Sequence, residues 1–300
     1  MTAEVTVIEL IKDTADRLEA AGLSLSDGFG QGTLSAFDEA AWLVMWRLGL
    51  PLDSSLDELG SVSNRPVAQE EQAQVATLLE ARITSRKPLA YLTNEAWLQG
   101  VPFYVDERAI IPRSFIAELL VDESIDPWLN EDTHRVLDLC TGNGSLAVLA
   151  AMAYPDVIIT AADISHDALA VARINVAKHG MEKRITLIES DGLTACADRY
   201  DLILCNPPYV NAATMADLPA EFRTEPALAL HGGDDGMDFI RSLFLTAAHH
   251  MSENAVLVLE IGNERANFER AFRTLQPLWF ETSGGPDQVL LLTRQQLLSL

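Results

Sequence analysis

The chain of 300 residues is long enough for one large domain or two ordinary ones, and its 48% hydrophobic and 22% charged residues are typical of a folded globular protein. A net charge of −23 disfavours binding to nucleic acid, which depends on lysine and arginine, whereas a basic partner is easier to accommodate. No apolar run approaches the ~18 residues of a membrane helix, no signal-peptide pattern is present, and the three cysteines form no CxxC pair. We therefore expect a cytoplasmic protein with reduced thiols and no membrane partner.

Helical spacing of apolar residues dominates the first part of the chain. It predicts three helices, at 5–21, 37–48 and 65–85. Together they indicate a small helical domain over residues 1–87. The glycine-rich stretch 28–33 looks like a phosphate loop but follows no strand, so we interpret it as a turn between helices.

The rest of the chain changes character twice. Residues 88–130 are predicted to be a linker in which 101–105 and 109–112 form a short hairpin. Over residues 131–300, apolar runs typical of buried strands alternate with helices. The predicted strands are 136–140, 157–162, 185–189, 202–205 and 255–260, with a final antiparallel strand at 288–293. The predicted helices are 145–153, 167–179, capped by Ser165, and 237–250. This alternation predicts an α/β fold, a doubly wound, Rossmann-like sheet.

A glycine loop joins the first strand of that sheet to its helix. It reads Asp138-Leu139-Cys140-Thr141-Gly142-Asn143-Gly144, and its two glycines let the backbone turn sharply and approach a ligand. The spacing from Gly142 to Ala147 also fits a dinucleotide fingerprint, and Asp163 could bind a ribose in either kind of cofactor. The loop alone therefore leaves a nicotinamide dinucleotide and S-adenosylmethionine both open.

Acidic residues at the strand ends favour S-adenosylmethionine. Asp138 suits the cationic amino group of that cofactor and would repel the pyrophosphate of NAD. Asp163 can accept from both ribose hydroxyls, and Asp191 from the exocyclic amine of adenine, although an exposed turn acid is the alternative for Asp191. We predict that the cofactor-binding residues are Asp138, Cys140, Thr141, Gly142, Asn143, Gly144, Asp163, Ile164, Asp191, Gly192 and Asn206.

The segment Asn206-Pro207-Pro208-Tyr209, which we call the catalytic segment, directly follows the fourth strand. Its prolines fix the backbone and remove two donors, so a stiff stretch presents acceptor oxygens. The side-chain oxygen of Asn206 and the carbonyl of Pro207 are predicted to hold the two hydrogens of an NH2 group, while Tyr209 covers the planar group. This geometry would aim a weakly nucleophilic nitrogen at a sulfonium methyl without a strong base. We predict that Asn206, Pro207, Pro208 and Tyr209 are catalytic and that no metal takes part. The alternative interpretation of this segment is a proline-rich turn that closes the strand.

Over nearly its whole length the sequence resembles the protein-glutamine N5-methyltransferases. Matching segments are 138–144, Asp163, Asp191, 206–209, 225–230, 232–236 and 260–262. The resemblance implies a seven-stranded class I methyltransferase domain, a helical domain that recognises the substrate, and methyl transfer to a glutamine side chain.

Two branches of that family differ in substrate. Residues 91–94, 104–108 and 111–114, with 30–33 and 38–40, resemble the branch that modifies the third protein of the large ribosomal subunit. The branch that modifies peptide-chain release factors carries Pro-Glu-Thr-Glu where this chain has 114–118, although Phe115 also departs from the proline usual in the ribosomal branch. The resemblance implies that a basic ribosomal protein is the partner, which suits the negative charge. The implied substrate-binding residues are Asn206, Pro207, Tyr209 and Arg113.

Four alternatives to this interpretation are a glutamine methyltransferase of release factors, an N6-adenine or N4-cytosine methyltransferase of nucleic acid, a nicotinamide-dependent oxidoreductase and an inactive binding subunit. The first shares the catalytic segment and is separated by the linker. The second lacks a basic patch, the third leaves the catalytic segment unused, and the fourth is disfavoured because that segment is complete.

Overall fold

The computed structural model describes residues 4–23, 32–56 and 62–300. The chain divides into two compact units, a helical unit of Met1–Asn94 with Pro219–Thr224, and an α/β unit of Glu95–Leu218 with Glu225–Leu300. The first boundary lies after Asn94 because a short helix follows the predicted limit at residue 87. The predicted linker 88–130 is thereby divided between the two units.

The helical unit contains the three predicted helices and one more. They are α1 (Val7–Ala20), α2 (Ala36–Arg47), α3 (Gln69–Ser85) and α4 (Leu89–Thr93). Thr6 caps α1 in a capping box with Glu9, and the Ser35 side chain accepts from the backbone of Asp38 at the start of α2. Apolar side chains of the first three helices, with Leu43 and Leu79 fully buried, form the core of this unit. Of the predicted turn 28–33, residues 28–31 lie outside the described part of the chain.

The α/β unit is built on a seven-stranded sheet, as the resemblance implies. After β1 (Ala96–Leu98) and β2 (Val101–Phe103), its strands are β3 (Arg135–Leu139), β4 (Ile158–Asp163), β5 (Ile185–Glu189), β6 (Tyr200–Cys205), β7 (Met251–Glu260), β8 (Leu278–Thr282) and β9 (Gly285–Thr293). The order is β5-β4-β3-β6-β7-β9-β8. The five strands from β3 to β7 are parallel to one another, and β9 lies antiparallel between β7 and β8. Apolar clusters cover the sheet on both sides, which explains why the strands are apolar throughout.

Helices connect the strands of this sheet. They are α5 (Ile116–Val121), α6 (Ser145–Ala153), α7 (His166–Lys178), α8 (Ala212–Ala216), α9 (Asp238–Thr246), α10 (Arg265–Ala271) and α11 (Arg294–Leu298). The predicted cap of α7 is confirmed, since the Ser165 hydroxyl accepts from the backbone of Ala168. The predicted helix 237–250 is in part α-helix, and its last four residues, Ala247–His250, form a 3-10 turn.

The predicted hairpin of 101–105 with 109–112 is wrong. The strand Val101–Phe103 pairs instead with Ala96–Leu98, through a two-residue turn at Gln99 and Gly100 in which both residues have positive φ, 49° and 74°. Residues 109–112 form no strand, and their apolar character reflects burial, with Ile111 fully inaccessible.

Among the helices of residues 4–23, 32–56 and 62–300, none has the length and apolar character needed to cross a bilayer.

Candidate active site

The glycine loop folds tightly between β3 and α6. Cys140, Gly142 and Gly144 all have positive φ, at 61°, 54° and 81°. A Cβ atom on Gly144 would lie 3.1 Å from Cβ of Ala172 in α7, so glycine is required there for close packing as well as for the turn. The main chain of the loop, which would approach a ligand, is therefore set by its sequence.

Asp138 is a buried acid at the base of this loop. Its Oδ2 accepts from the Thr141 hydroxyl at 2.5 Å and from the backbone N–H of Ala147 at 2.9 Å. Its Oδ1 is buried and has no hydrogen-bond partner among the described residues. Burial raises the pKa of this carboxyl to about 7. An unpartnered carboxylate oxygen with no cation beside it fits the cationic amino group of S-adenosylmethionine.

Asp163 lies at the end of the neighbouring strand, β4, and fixes two turns. Its Oδ2 accepts from the backbone N–H of Gly142, and its Oδ1 accepts from that of Ser165, both at 2.8 Å. Burial raises its pKa. Because each carboxylate oxygen can accept more than one hydrogen bond, capacity remains for the ribose hydroxyls. The next residue, Ile164, is 47% exposed and can pack against an adenine ring.

Asp191 is exposed and lies two residues after the end of β5. It belongs to a turn whose conformation the sequence did not predict. The buried residue Ser190 holds this turn: its hydroxyl donates to the carbonyl of Gly192 at 2.7 Å and accepts from the N–H of Ala195 at 3.0 Å. The N–H of Ser190 donates to the carbonyl of Asp163 at 2.9 Å, so the two acidic turns are joined. In the sequence, the only signal for this turn is a serine, Ser190, directly before the acid Asp191.

Two of the predicted cofactor-binding residues use their side chains within the protein. Asn143 donates to the carbonyl of Ile110 at 2.7 Å and accepts from the N–H of Ser145 at 2.9 Å. The Thr141 hydroxyl donates to Asp138. These side chains hold the loop, so any contact with a cofactor from Asn143 or Thr141 would come from the main chain.

The catalytic segment is placed beside the glycine loop by the register of two adjacent strands. Leu139 of β3 is paired with Cys205 of β6, so the residues that follow each of them lie at the same edge of the sheet. The side-chain nitrogen of Asn206 donates weakly to the carbonyl of Arg113, at 3.4 Å. That contact engages the nitrogen and not Oδ1, the atom that we predict to accept from a substrate NH2 group.

Three glycines pack against Tyr209. A Cβ atom on Gly232 would lie 2.7 Å from Cα of Tyr209, one on Gly236 would overlap its carbonyl oxygen, and one on Gly262 would overlap its ring. All three belong to segments in which the sequence resembles the glutamine methyltransferases. Their shared function in the structure is to let other parts of the chain close around Tyr209.

Glu260, at the end of β7, is another buried acid of this region. Its Oε2 accepts from the Ser114 hydroxyl at 2.6 Å and from the N–H of Phe115 at 2.9 Å, and the Tyr209 hydroxyl donates to its Oε1 at a long 3.4 Å. Burial raises the pKa of Glu260 to about 7 and, with the Glu260 charge, raises that of Tyr209. Glu260 thus orients the tyrosine, a role that its motif did not reveal.

Arg113 forms a bidentate ion pair with Glu225. Both N–O distances are 2.5 Å, and the Glu225 side chain is buried. The sequence analysis assigned Arg113 to substrate binding, whereas its guanidinium is engaged with Glu225 in this structure. Its carbonyl, which accepts from Asn206, is the part of Arg113 that reaches the catalytic segment.

Comparison with known protein families and sequences gives a consistent result. The methyltransferase small domain family matches residues 117–235. A ribosomal protein uL3 glutamine methyltransferase of Bordetella pertussis is 49% identical over 295 residues, which cover 97% of this chain and 96% of the relative. Relatives of the same description from Neisseria meningitidis and Bradyrhizobium diazoefficiens are 46% and 40% identical, cover 98% of this chain, and are themselves covered to 94% and 92%.

Among solved structures, the catalytic domain of hMettl16 in complex with the MAT2A 3′UTR hairpin 6 has a TM-score of 0.51 and 14% identity. The match covers 80% of this chain and 86% of that one. At this identity the likeness supports the class I methyltransferase fold and carries no information about substrate.

Proposed function

The chain belongs to the family of ribosomal protein uL3 glutamine methyltransferases, and from that premise we propose that it transfers a methyl group from S-adenosylmethionine to a glutamine side-chain amide nitrogen of uL3. One observation carries the proposal. The pairing of Leu139 with Cys205 puts the glycine loop and the catalytic segment at one edge of the sheet. This arrangement supports the proposal, because methyl transfer requires the cofactor and the acceptor amide to be adjacent.

Three acidic residues of this chain are proposed to bind three different parts of the cofactor. The Oδ1 of Asp138 would bind the amino group of the cofactor, Asp163 would accept from its ribose hydroxyls, and Asp191 would accept from the adenine amine. When bound, the cofactor supplies an electrophilic sulfonium methyl. No cation of the protein is needed beside Asp138, because the ligand brings its own.

The catalytic segment prepares the acceptor nitrogen. The Asn206 side-chain oxygen and the Pro207 carbonyl each accept one N–H of the glutamine amide, and Tyr209 covers its planar face. The two acceptors hold the nitrogen in line with the methyl and stabilise the positive charge that grows on the NH2 group during transfer. Gly262 and Glu260 keep Tyr209 in place for this task.

The substrate is a basic ribosomal protein and this chain is strongly acidic, so their charges favour association. A protein that modifies a ribosomal protein before or during ribosome assembly acts in the cytoplasm, which we propose as its location. The comparisons support the ribosomal-protein branch, as the sequence of the linker predicts.

An acceptor competition tests this function. Radiolabelled S-adenosylmethionine is incubated with the protein and each of three acceptors: uL3, a release factor and ribosomal RNA, all prepared from cells that lack the corresponding methyltransferases. We expect label in uL3. Label in the release factor alone would overturn the branch assignment, and label in RNA alone would overturn protein methylation altogether.

A further inference from the structure

A loop leaves the catalytic segment and returns to it. At its base the N–H of Val210 donates to the carbonyl of Leu230 at 2.8 Å, and the N–H of Gly232 donates to the carbonyl of Val210 at 2.9 Å. We call residues 210–232 the acceptor loop. Its base belongs to the α/β unit, whereas its tip, Pro219–Thr224, belongs to the helical unit.

The tip of the acceptor loop takes part in a buried ion cluster. Arg82, whose side chain is fully buried, donates through Nε to Glu39 at 2.6 Å and through a terminal nitrogen to Glu221 at 3.3 Å. Arg86 donates to the same oxygen of Glu221 at 2.6 Å, and the Thr33 hydroxyl donates to the other oxygen of Glu39 at 3.2 Å. Glu221 is itself fully buried, so the tip is anchored through a charge shared by two arginines.

The backbone at Arg86 is strained to make this contact. Arg86 ends α3 with φ 56° and ψ 13°, the left-handed conformation that glycine usually provides at such a position. Glycine would relieve the strain but would lack the side chain that reaches Glu221. Arg86 at the end of α3 therefore serves the ion cluster, although glycine would end the helix with less strain.

Stability alone does not account for this arrangement. Buried ion pairs lose in desolvation about what they gain in attraction, and well-packed apolar residues often hold a segment equally well. Burial raises the pKa of Glu39 in spite of Arg82 beside it. The Oε2 atom of Glu221 is buried without a hydrogen-bond partner among the described residues, which is a further cost. Ion pairs with directional hydrogen bonds have a further effect: they hold the segment in a single defined position.

The cluster also explains two sequence motifs that the methyl-transfer chemistry leaves unused. Thr33 and Glu39 lie in the segments 30–33 and 38–40, which resemble the ribosomal-protein branch. Neither residue is among those that bind the cofactor or the amide. Their observed contacts are with each other and with Arg82, and so lead to the acceptor loop.

We propose that Arg82, Arg86 and Glu221 are positioning residues for the protein substrate: they hold the tip of the acceptor loop in one place within the helical unit, so that the tip presents one conformation to uL3. This inference rests on the proposed function. It assigns the cluster to recognition of the acceptor protein and not to cofactor binding or to the chemical step.

The test compares two glutamate variants of the full chain. Glu221→Gln removes the buried charge with little change of shape. Glu71→Gln is the matched control, because Glu71 also pairs with an arginine of the helical unit, Arg65 at 2.5 Å, but both side chains are partly exposed. For each variant, kcat and KM are measured with unmethylated uL3, and the Kd of S-adenosylmethionine is measured separately.

We expect Glu221→Gln to raise KM for uL3 on the order of tenfold, as loss of a charge-assisted hydrogen bond would. Its kcat and cofactor Kd should stay within about twofold of the unaltered protein, and Glu71→Gln should change none of the three. Unchanged KM in Glu221→Gln overturns the proposal. Parallel losses of kcat and cofactor affinity also overturn it, because they indicate a general structural role.

A second variant covers a failure of Glu221→Gln to fold. Arg86→Gln alters a side chain that is 29% exposed and leaves the pair of Arg82 with Glu39 in place. A raised KM with unchanged kcat and cofactor Kd supports the proposal, and unchanged KM overturns it. If the unaltered protein does not methylate uL3, the proposed function fails, and this inference with it.

Discussion

Buried acids of the helical unit face arginines, whereas those around the glycine loop accept from neutral donors. Glu39 and Glu221 both pair with Arg82. Asp138 accepts from a hydroxyl and a backbone N–H, and Asp163 accepts from two backbone N–H groups. Burial alone raises the pKa of a carboxyl, so a raised pKa does not separate the two regions. The two regions differ in whether an arginine contacts the carboxylate.

This difference indicates which acids await a ligand. A buried carboxylate with its own arginine is electrostatically complete and serves to hold structure, as Glu221 does. Among the described residues, Asp138 has one oxygen without a hydrogen-bond partner and no cation in contact, and it lies where the cofactor amino group is proposed to bind. Experiments on the chemistry, on the binding of the cofactor and on stability test this comparison.

The largest expected effect is on the chemical step. Asn206→Ala should reduce kcat by about 10² to 10³, because it removes one preorganised dipole at the reacting nitrogen. Binding of S-adenosylmethionine should weaken by no more than about tenfold, since Asn206 is one predicted contact of the cofactor and the acids at the glycine loop are untouched. Turnover with uL3 and calorimetric titration of the cofactor check the two halves of this prediction. Near-normal turnover would remove Asn206 from the mechanism.

The next effect is on cofactor binding and its pH dependence. Asp138→Asn should weaken S-adenosylmethionine binding at pH 7.5 on the order of 10-fold to 100-fold, the usual loss for one charged hydrogen bond. In the unaltered protein the Asp138 pKa of about 7 means that protonation competes with the cation as the pH falls. Affinity should then drop by up to about tenfold per pH unit below pH 7.

Titration calorimetry between pH 5.5 and 7.5 measures both affinities. Asp138→Asn serves as the control for the pH profile and should abolish most of the slope. An equally steep slope in that variant would assign the proton to another group, such as Asp163.

The smallest expected effect is on stability, and its sign separates the two regions. The folded pKa of Asp138 is raised above its ordinary value of 3.8, so its ionised form destabilises the fold. That cost is absent below about pH 4 and complete above about pH 7. Without cofactor, Asp138→Asn should raise Tm at pH 8 by about 2–4 °C, the shift that ~1 kcal/mol produces in a unit of this size. At pH 5 the gain should be smaller.

Glu221→Gln provides the opposite case, because removing one charge leaves Arg82 and Arg86 without their shared partner. Its Tm should fall. Thermal melts of the two variants at both pH values are sufficient for the comparison, and a fall of Tm in both at pH 8 would contradict it.

The sheet could be predicted because its signals are local, and for the same reason a candidate site could be proposed from the sequence. Strands buried on both faces are apolar along their length, and the catalytic segment is contiguous. The strand Leu278–Thr282 was missed because it lies at the edge of the sheet and is only partly buried, so it carries no continuous apolar run. Residues 109–112 were assigned to a strand because packing in the interior selects the same residue types.

The parts of the site that escaped prediction depend on distant pairs. Glu221 meets Arg82 across 139 positions of sequence, and Glu225 meets Arg113 across 112. No periodicity or spacing records such a pairing. The sequence showed that segment 225–230 matches a family, but only the structure shows that it engages Arg113. The cofactor and amide roles of individual site residues stay predictions.

Locating the transferred methyl group tests the central claim most directly. Unmethylated uL3 is incubated with the protein and S-adenosylmethionine, digested and sequenced by tandem mass spectrometry. We predict a single added methyl group on the side-chain nitrogen of one glutamine, and a yield about 10² to 10³ lower over the same short incubation when Asn206→Ala is used. A methyl group on a lysine or at the amino terminus, or no transfer to uL3, would contradict the account.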